Sequence, residues 1–362
     1  MPRDGKELID ATRPFAVESP AKSAWAVLSS LTASLVLTAS ILVVRPWPPR
    51  LALSILSGLF VVRVFVLFHD AKHGAILRKS PVLRALLDAY AMLTLTPPRV
   101  WKDTHNYHHA HNAKIVGSHV GSFPVVTPSL WAKMSTKHRR AYALVRSPLT
   151  IACAYVTLFA WGMCLAPFLR SPRKNVQGLV ALVVHAALVG VLVVTFDVAT
   201  YVFVLGLPLA IATAMGGYLF YAQHNFPGAK LQPRESWSYT KAALESSSFM
   251  RTGPVMAYFT ADIGYHHVHH LNPQIPFYRL REAMANVPEL GHPTETSLRL
   301  RDVLACLRLG MWNPDRGAFD TWDTIAEDEA AGVSGQTPAV EAISSPSLSS
   351  HETLQAEARV RP

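Results

Sequence analysis

Between Lys22 and Arg45 the chain carries no charged residue. A helix of that length, rising 1.5 Å per residue, reaches about 30 Å, the thickness of a bilayer's hydrocarbon core. Residues 24–44 therefore read as a first membrane span and residues 51–68 as a second. Arg45-Pro-Trp-Pro-Pro-Arg50 joins them as a proline-fixed turn with an interfacial tryptophan. Two more apolar runs, 176–196 and 200–222, are long enough to cross, and Asp197 between them leaves room only for a tight turn. Charged residues make up 16% of the chain, against about a quarter in soluble domains. The expected fold is an all-α integral membrane protein, a four-span helical bundle with a helical cap. A charged leader precedes the first apolar run and no small-residue cleavage site follows it, so that run reads as a retained span and not a signal peptide.

Histidine clusters lie outside these spans. His69 and His73 stand at i, i+4, while His105, His108 and His109 stand at i, i+3, i+4. His266, His269 and His270 repeat the second pattern. On a helix this spacing puts the imidazoles on one face. One such cluster is a weak signal, but three with the same helical spacing between apolar segments point to a shared site. Neutral imidazole binds first-row transition metals, and eight ligands exceed what one tetrahedral or octahedral ion holds, so two metal ions are expected. Nitrogen ligation suits iron, copper, zinc or nickel and does not choose among them.

If the clusters build one site, an even number of crossings must separate them. The runs at 176–196 and 200–222 supply two, so the apolar run at 149–169 is read as re-entrant or interfacial. Residues 81–97 contain Arg84 and Asp88, which are costly at the bilayer centre, and read as interfacial too. Arg63 is expected to snorkel to the headgroups. A net charge of +10 fits an anionic membrane surface, and no nucleic-acid motif is present. Lys and Arg at 133–146 and 170–174 place the site on the cytoplasmic side. Three scattered cysteines define neither a disulfide framework nor a metal motif. Residues 1–22 form a cytoplasmic N-terminal segment, either on the membrane surface or loose. The membrane domain spans 23–312, and the Ser-, Pro- and Ala-rich tail at 313–362 reads as disordered.

With these pieces in place, the chain resembles the integral-membrane fatty acid desaturases. The resemblance rests on Phe68-His-Asp-Ala-Lys-His-Gly74, Trp101-Lys-Asp-Thr-His-Asn-Tyr-His-His109, Tyr221-Ala-Gln-His-Asn225 and the stretch from Gly264 to Leu280. Gly121–Thr127 and Trp237–Phe249 are similar as well, and the likeness covers about residues 55 to 285. It is nearest to bacterial and cyanobacterial acyl-lipid desaturases of the omega-6, or delta-12, type. The resemblance implies two non-haem iron ions, dioxygen as oxidant and two externally supplied electrons.

The likeness also implies ligand roles for His69, His73, His105, His108, His109, His266, His269 and His270, with His224, just past the last span, as a ninth. Asp70 and His111 would support ligands from behind. Phe220 stands where stearoyl-CoA-type desaturases carry an asparagine that holds a metal-bound water, which leaves Asn225 or Gln223 to serve. The implied partners are a membrane lipid or acyl substrate and an electron donor such as ferredoxin or cytochrome b5, and the implied location is a bacterial inner membrane. Fatty acid or carotenoid hydroxylases and ketolases use near-identical boxes and are the alternative. A non-enzymatic metal-binding protein or transporter is more remote, because transporters place ligands near the bilayer midplane.

Overall fold

Among the described residues of the computed structural model, 2–115 and 117–332, four helices are long and apolar enough to cross a membrane: Pro20–Val43, Trp47–Lys72, Val176–Thr195 and Val198–Ala222. Proline stands in the first turn of the first two, where its missing N–H costs no helical hydrogen bond. The second span lies between the first and the fourth. A Cβ on its Gly58 would lie 3.0 Å from Pro208 O on the fourth span, so a side chain there would push the two backbones slightly apart. Val61 and Val62 pack there against Leu209 and Ala212. The first and third spans turn outward, with Leu35 71% and Val194 87% exposed. Large aliphatic side chains this exposed on helices of spanning length are lipid-facing surface.

Arg50 ties the rim remote from the histidines. Its Nε donates to Ile41 O at 3.0 Å and its Nη2 to Thr200 Oγ1 at 2.8 Å, joining three spans. Arg63 departs from expectation. It is 6% exposed and does not snorkel: it donates to Ser30 Oγ at 3.0 Å and to Tyr258 O, with its guanidinium 3.8 Å from the Tyr258 ring centre. A chain segment from beyond the fourth span supplies the acceptor that the headgroups were expected to provide.

The run at 149–169 forms a helix at Pro148–Ala152, a π-helix at Tyr155–Leu165 and a helical turn at Ala166–Arg170. Both of its ends lie near the histidines. Arg146 bonds Asn225, the neighbour of His224, at 3.0 Å, while Lys174 pairs with Asp103, two residues before His105, at 3.6 Å. Both ends of the run are thus tied to residues next to the histidines. Residues 81–93 form a separate helix whose Asp88 pairs with Lys72 at the end of the second span.

The N-terminal segment is docked. Residues Gly5–Thr12 form a helix whose Leu8 is 1% exposed. Arg3 forks onto Glu289, and Thr12 Oγ1 accepts from Asn272 Nδ2 at 2.8 Å. Glu18 accepts from the N–H groups of Leu77 and Arg78, just beyond the first histidine cluster. The expectation of a disordered tail from 313 fails for residues up to 332. Leu309–Asn313 and Ala318–Thr321 pair as an antiparallel hairpin, followed by a helix at Trp322–Ala330. Pro314-Asp-Arg-Gly317, with Gly317 at φ +57°, makes the turn, a sequence signal of the usual kind. Met311 and Ile325 anchor this unit against Trp131 and Tyr142. Residues 333–362, the rest of the expected tail, lie outside the described residues.

Candidate metal centre

Four elements deliver imidazoles to one place: the end of the second span, the helix Pro98–His111, the turn after the fourth span and the helix His266–Leu271. The nine clustered histidines divide into two groups. His69, His73, His105, His109 and His269 form one, and His108, His224, His266 and His270 form the other, with donor atoms in each within 4.8 Å of one another. Helical geometry explains the division. At about 100° per residue, i+4 stays near the stripe of i, whereas i+3 falls on its other side. His105 and His109 accordingly share a group and His108 faces away, while His266 and His270 share a group and His269 faces away.

Nε2 atoms converge inside each group. His73 and His105 are 2.9 Å apart, His105 and His109 3.1 Å, and His109 and His269 3.1 Å. In the second group His224 lies 3.0 Å from His108 and 2.9 Å from His266, and His266 lies 3.1 Å from His270. Two nitrogens held at right angles about 2.1 Å from one ion would be about 3.0 Å apart, so both groups fit a bound transition metal. Burial holds the pKa of His73, His105, His108, His109, His266, His269 and His270 well below the usual imidazole value, and mutual repulsion among the rings adds to it. Burial likewise brings His224 down to about 4. Neutral rings keep the lone pairs a metal needs.

Some rings are aimed from behind. His69 Nδ1 lies 3.1 Å from Asp70 Oδ1, and Asp70 Oδ2 accepts from Phe277 N at 2.8 Å, which also ties the second span to the segment after the third cluster. His224 Nδ1 donates to Ser246 O at 3.0 Å. A polar partner on the far nitrogen fixes a ligand's tautomer and orientation, and losing one costs about 10–100-fold in metal affinity. Asp70→Ala is therefore expected to weaken metal retention by about that factor in a chelator competition. Wild-type retention would mean that the Asp70–His69 contact has no part in binding.

His111 and Asn225 stand beside the two groups and are not members of either. The His111 ring stacks on Tyr107 at 3.8 Å and its Nδ1 meets Tyr107 O, outside both groups. Asn225 has both arms engaged, accepting from Arg146 and donating to Tyr221 O. His267 points to Leu290 O, and mid-span His185 bonds the Tyr155 hydroxyl. His119, His138 and His292 are exposed, while His351 lies outside the described residues.

Beside the groups lies an apolar cavity of about 330 Å³. Val62 and Val66 of the second span, Gly216 and Phe220 of the fourth, and Phe159 and Met163 of the π-helix line its body. His69, His105 and His266 line its head, so it touches both groups. Trp101, stacked on His105 at 4.3 Å, and Gln223, whose Nε2 donates to Ile263 O, complete the polar end. Gly121, at φ +65°, also lines it, and a Cβ there would fall 2.3 Å from Thr104 O. The loop can therefore close on the His105 helix only with glycine at this position. The walls come from segments far apart in sequence: His69, Trp101, His105, Gln223 and His266 belong to the motifs noted above, as does the Gly121 stretch, whereas the valines of the second span and the π-helix residues belong to none.

A family model described as fatty acid desaturase matches residues 45–299. The chain is 30% identical over 288 residues to a "Fatty acid desaturase" of Bacillus subtilis (strain 168), covering 76% of this chain and 78% of that protein. It is 22% identical over 291 residues to an "sn-1 oleoyl-lipid 12-desaturase" of Picosynechococcus, covering 78% and 82%. Its counterpart of that name in Synechocystis is 26% identical over 282 residues, covering 76% and 79%.

Proposed function

The chain belongs to the fatty acid desaturase family, and from that premise we propose that it introduces a double bond into a lipid acyl chain at two iron ions held by its nine clustered histidines. One observation carries this reading: a single apolar cavity reaches imidazoles of both groups. A methylene chain laid in it comes against the metal sites without leaving apolar surroundings. No side-chain acid or base can take a proton from an alkane, so the iron pair, when bound, supplies the oxidant from dioxygen and two electrons. The balance is closed. The substrate gives up two hydrogens, the donor two electrons and the medium two protons, and dioxygen leaves as two waters.

The protein's own part is to hold and to exclude. Val62, Val66, Phe159 and Phe220 fix the run of the chain and keep bulk water from the oxidising site. His69, His73, His105, His109 and His269 would hold one ion, and His108, His224, His266 and His270 the other. Catalysis is assigned to residues 23–312. The electron donor is a ferredoxin or cytochrome b5, attracted by a basic chain. The histidine side carries the basic stretches 133–146 and 170–174, which supports a site facing the cytoplasm of a bacterial inner membrane. Cysteine-labelled residues 170–174 should then resist membrane-impermeant reagents in intact cells, and ready labelling would reverse this orientation.

Expression in a host that lacks polyunsaturated lipids should yield a new acyl double bond, located by mass spectrometry and dependent on oxygen. An iron-loaded preparation given lipid, oxygen and a competent reductant that never forms an unsaturated product would sink the desaturase reading. A hydroxylated product in its place would assign the chain to the hydroxylases.

A further inference from the structure

Beyond the fourth span, between Arg251 and Asp262, the chain carries no charge: Thr-Gly-Pro-Val-Met-Ala-Tyr-Phe-Thr-Ala. Its two flanking charges are paired, Arg251 with Glu295 at 2.6 Å and Asp262 with Arg281 at 3.5 Å. Within it, Pro254–Phe259 is helical. This segment packs along the middle of the second span. Phe259 meets Phe60 edge to face at 5.3 Å, Tyr258 meets Phe60 at 6.4 Å, and Arg63 donates to Tyr258 O. Phe60 and Arg63 precede the end of that helix, Lys72, by about 18 and 14 Å of helical rise. Ser30, which accepts from Arg63, lies about 15 Å into the first span. The second span puts the segment well below the rim that carries His69 and His73, and through Arg63 the first span marks the same depth.

We propose that residues 252–261 are a short hairpin inserted into the bilayer from the histidine side, with Val255 and Tyr258 against lipid acyl chains. Those two side chains are 66% and 48% exposed, and at that depth the surface around the spans is lipid. The backbone is prepared for such a medium, where an unpaired polar group is costly. Ala257 N donates to Gly253 O, Thr260 N to Met256 O and Asp262 N to Ala257 O, while Tyr258 O takes the Arg63 guanidinium. Ala261 and Asp262, at φ +43° and +52°, turn the chain back to Ile263, which lines the cavity, and to His266. The hairpin is thus wall on one face and lipid contact on the other. A ten-residue apolar stretch is too short to cross, which is why hydropathy alone passes over it.

The inference rests on the membrane reading and not on the reaction, so its failure would leave the desaturase assignment standing. The full chain carrying Cys153→Ser is spin-labelled at Val255→Cys and reconstituted in phosphatidylcholine vesicles. Leu35→Cys on the first span serves as the bilayer reference and Lys137→Cys as the aqueous one. The label at 255 should match position 35, open to oxygen and shielded from a water-soluble nickel chelate. Pro254→Cys repeats the measurement at a second exposed position. Nickel access at either position equal to that at 137 would overturn the insertion.

Discussion

Replacing His224 with alanine should abolish product formation and lower bound iron while the protein still inserts and expresses. The residue belongs to the smaller histidine group, where His108 and His266 lie 3.0 and 2.9 Å from it. Removing it leaves three imidazoles where the other group has five. Loss of a residue that merely orients a ligand costs about 10–100-fold, so loss of the ligand itself should exceed about 100-fold in turnover. His138→Ala is the matched control, since His138 is exposed on a helix of the cap and bonds Ser135. It should change neither iron content nor rate. A His224→Ala enzyme with full iron and normal turnover would return this histidine to the role of an interfacial residue.

Arg146→Met should destabilise the protein by about 3–5 kcal/mol, a large part of a typical folding free energy. Arg146 is fully buried, and among the described residues no carboxylate is its hydrogen-bond partner. Instead its guanidinium donates to Pro124 O, Tyr221 Oη, Asn225 Oδ1 and Leu309 O, and lies over the rings of Tyr142 and Tyr221. Methionine fills the space but leaves Pro124 O and Asn225 Oδ1 without their donor in a dry interior, while Leu309 O keeps the Tyr221 hydroxyl. Because Tyr221 and Asn225 flank His224, iron should be lost along with stability. The expected drop in melting temperature in detergent is roughly 10 °C. Arg146→Lys should recover only part of it, because an ammonium cannot present the planar fork that reaches all four oxygens. An unchanged melting curve and iron content in Arg146→Met would show that the four bonds carry little.

The spans and the box histidines were legible because each follows a period or a length that physics fixes: 20 apolar residues for a crossing, i, i+3, i+4 for a helical face. His224 was reachable only through the parity of crossings and the family likeness, since a lone histidine has no period. The division into two groups was not legible, because it depends on which stripe of each helix meets which neighbour. Arg63 and Arg146 misled or escaped notice for a common reason. A lone cation in a sequence gives no sign of its acceptors, and both find backbone carbonyls from distant segments. The bonds of Asn225 to Arg146 and Tyr221 O are likewise invisible in the sequence. The hairpin at 309–321 carried its turn in Pro314–Gly317, but strands of five and four residues are too short for an alternating pattern to stand out.

The docking of the N-terminal segment bears on how the protein is made. Residues 3–19 leave the ribosome long before residues 270–289, yet Arg3 is held by Glu289, Thr12 by Asn272, and Ser19 by the Tyr278 hydroxyl. Through Glu18 the same segment clasps Leu77 and Arg78, beside His73. During synthesis the clasp on Leu77 and Arg78 can close early, whereas the contacts of Arg3, Thr12 and Ser19 must wait until nearly all of the membrane domain has been translated. Both histidine groups also need rings from 266–270, so metal delivery belongs to the end of biogenesis, and a bulky fusion ahead of residue 3 would burden the last closure of the molecule.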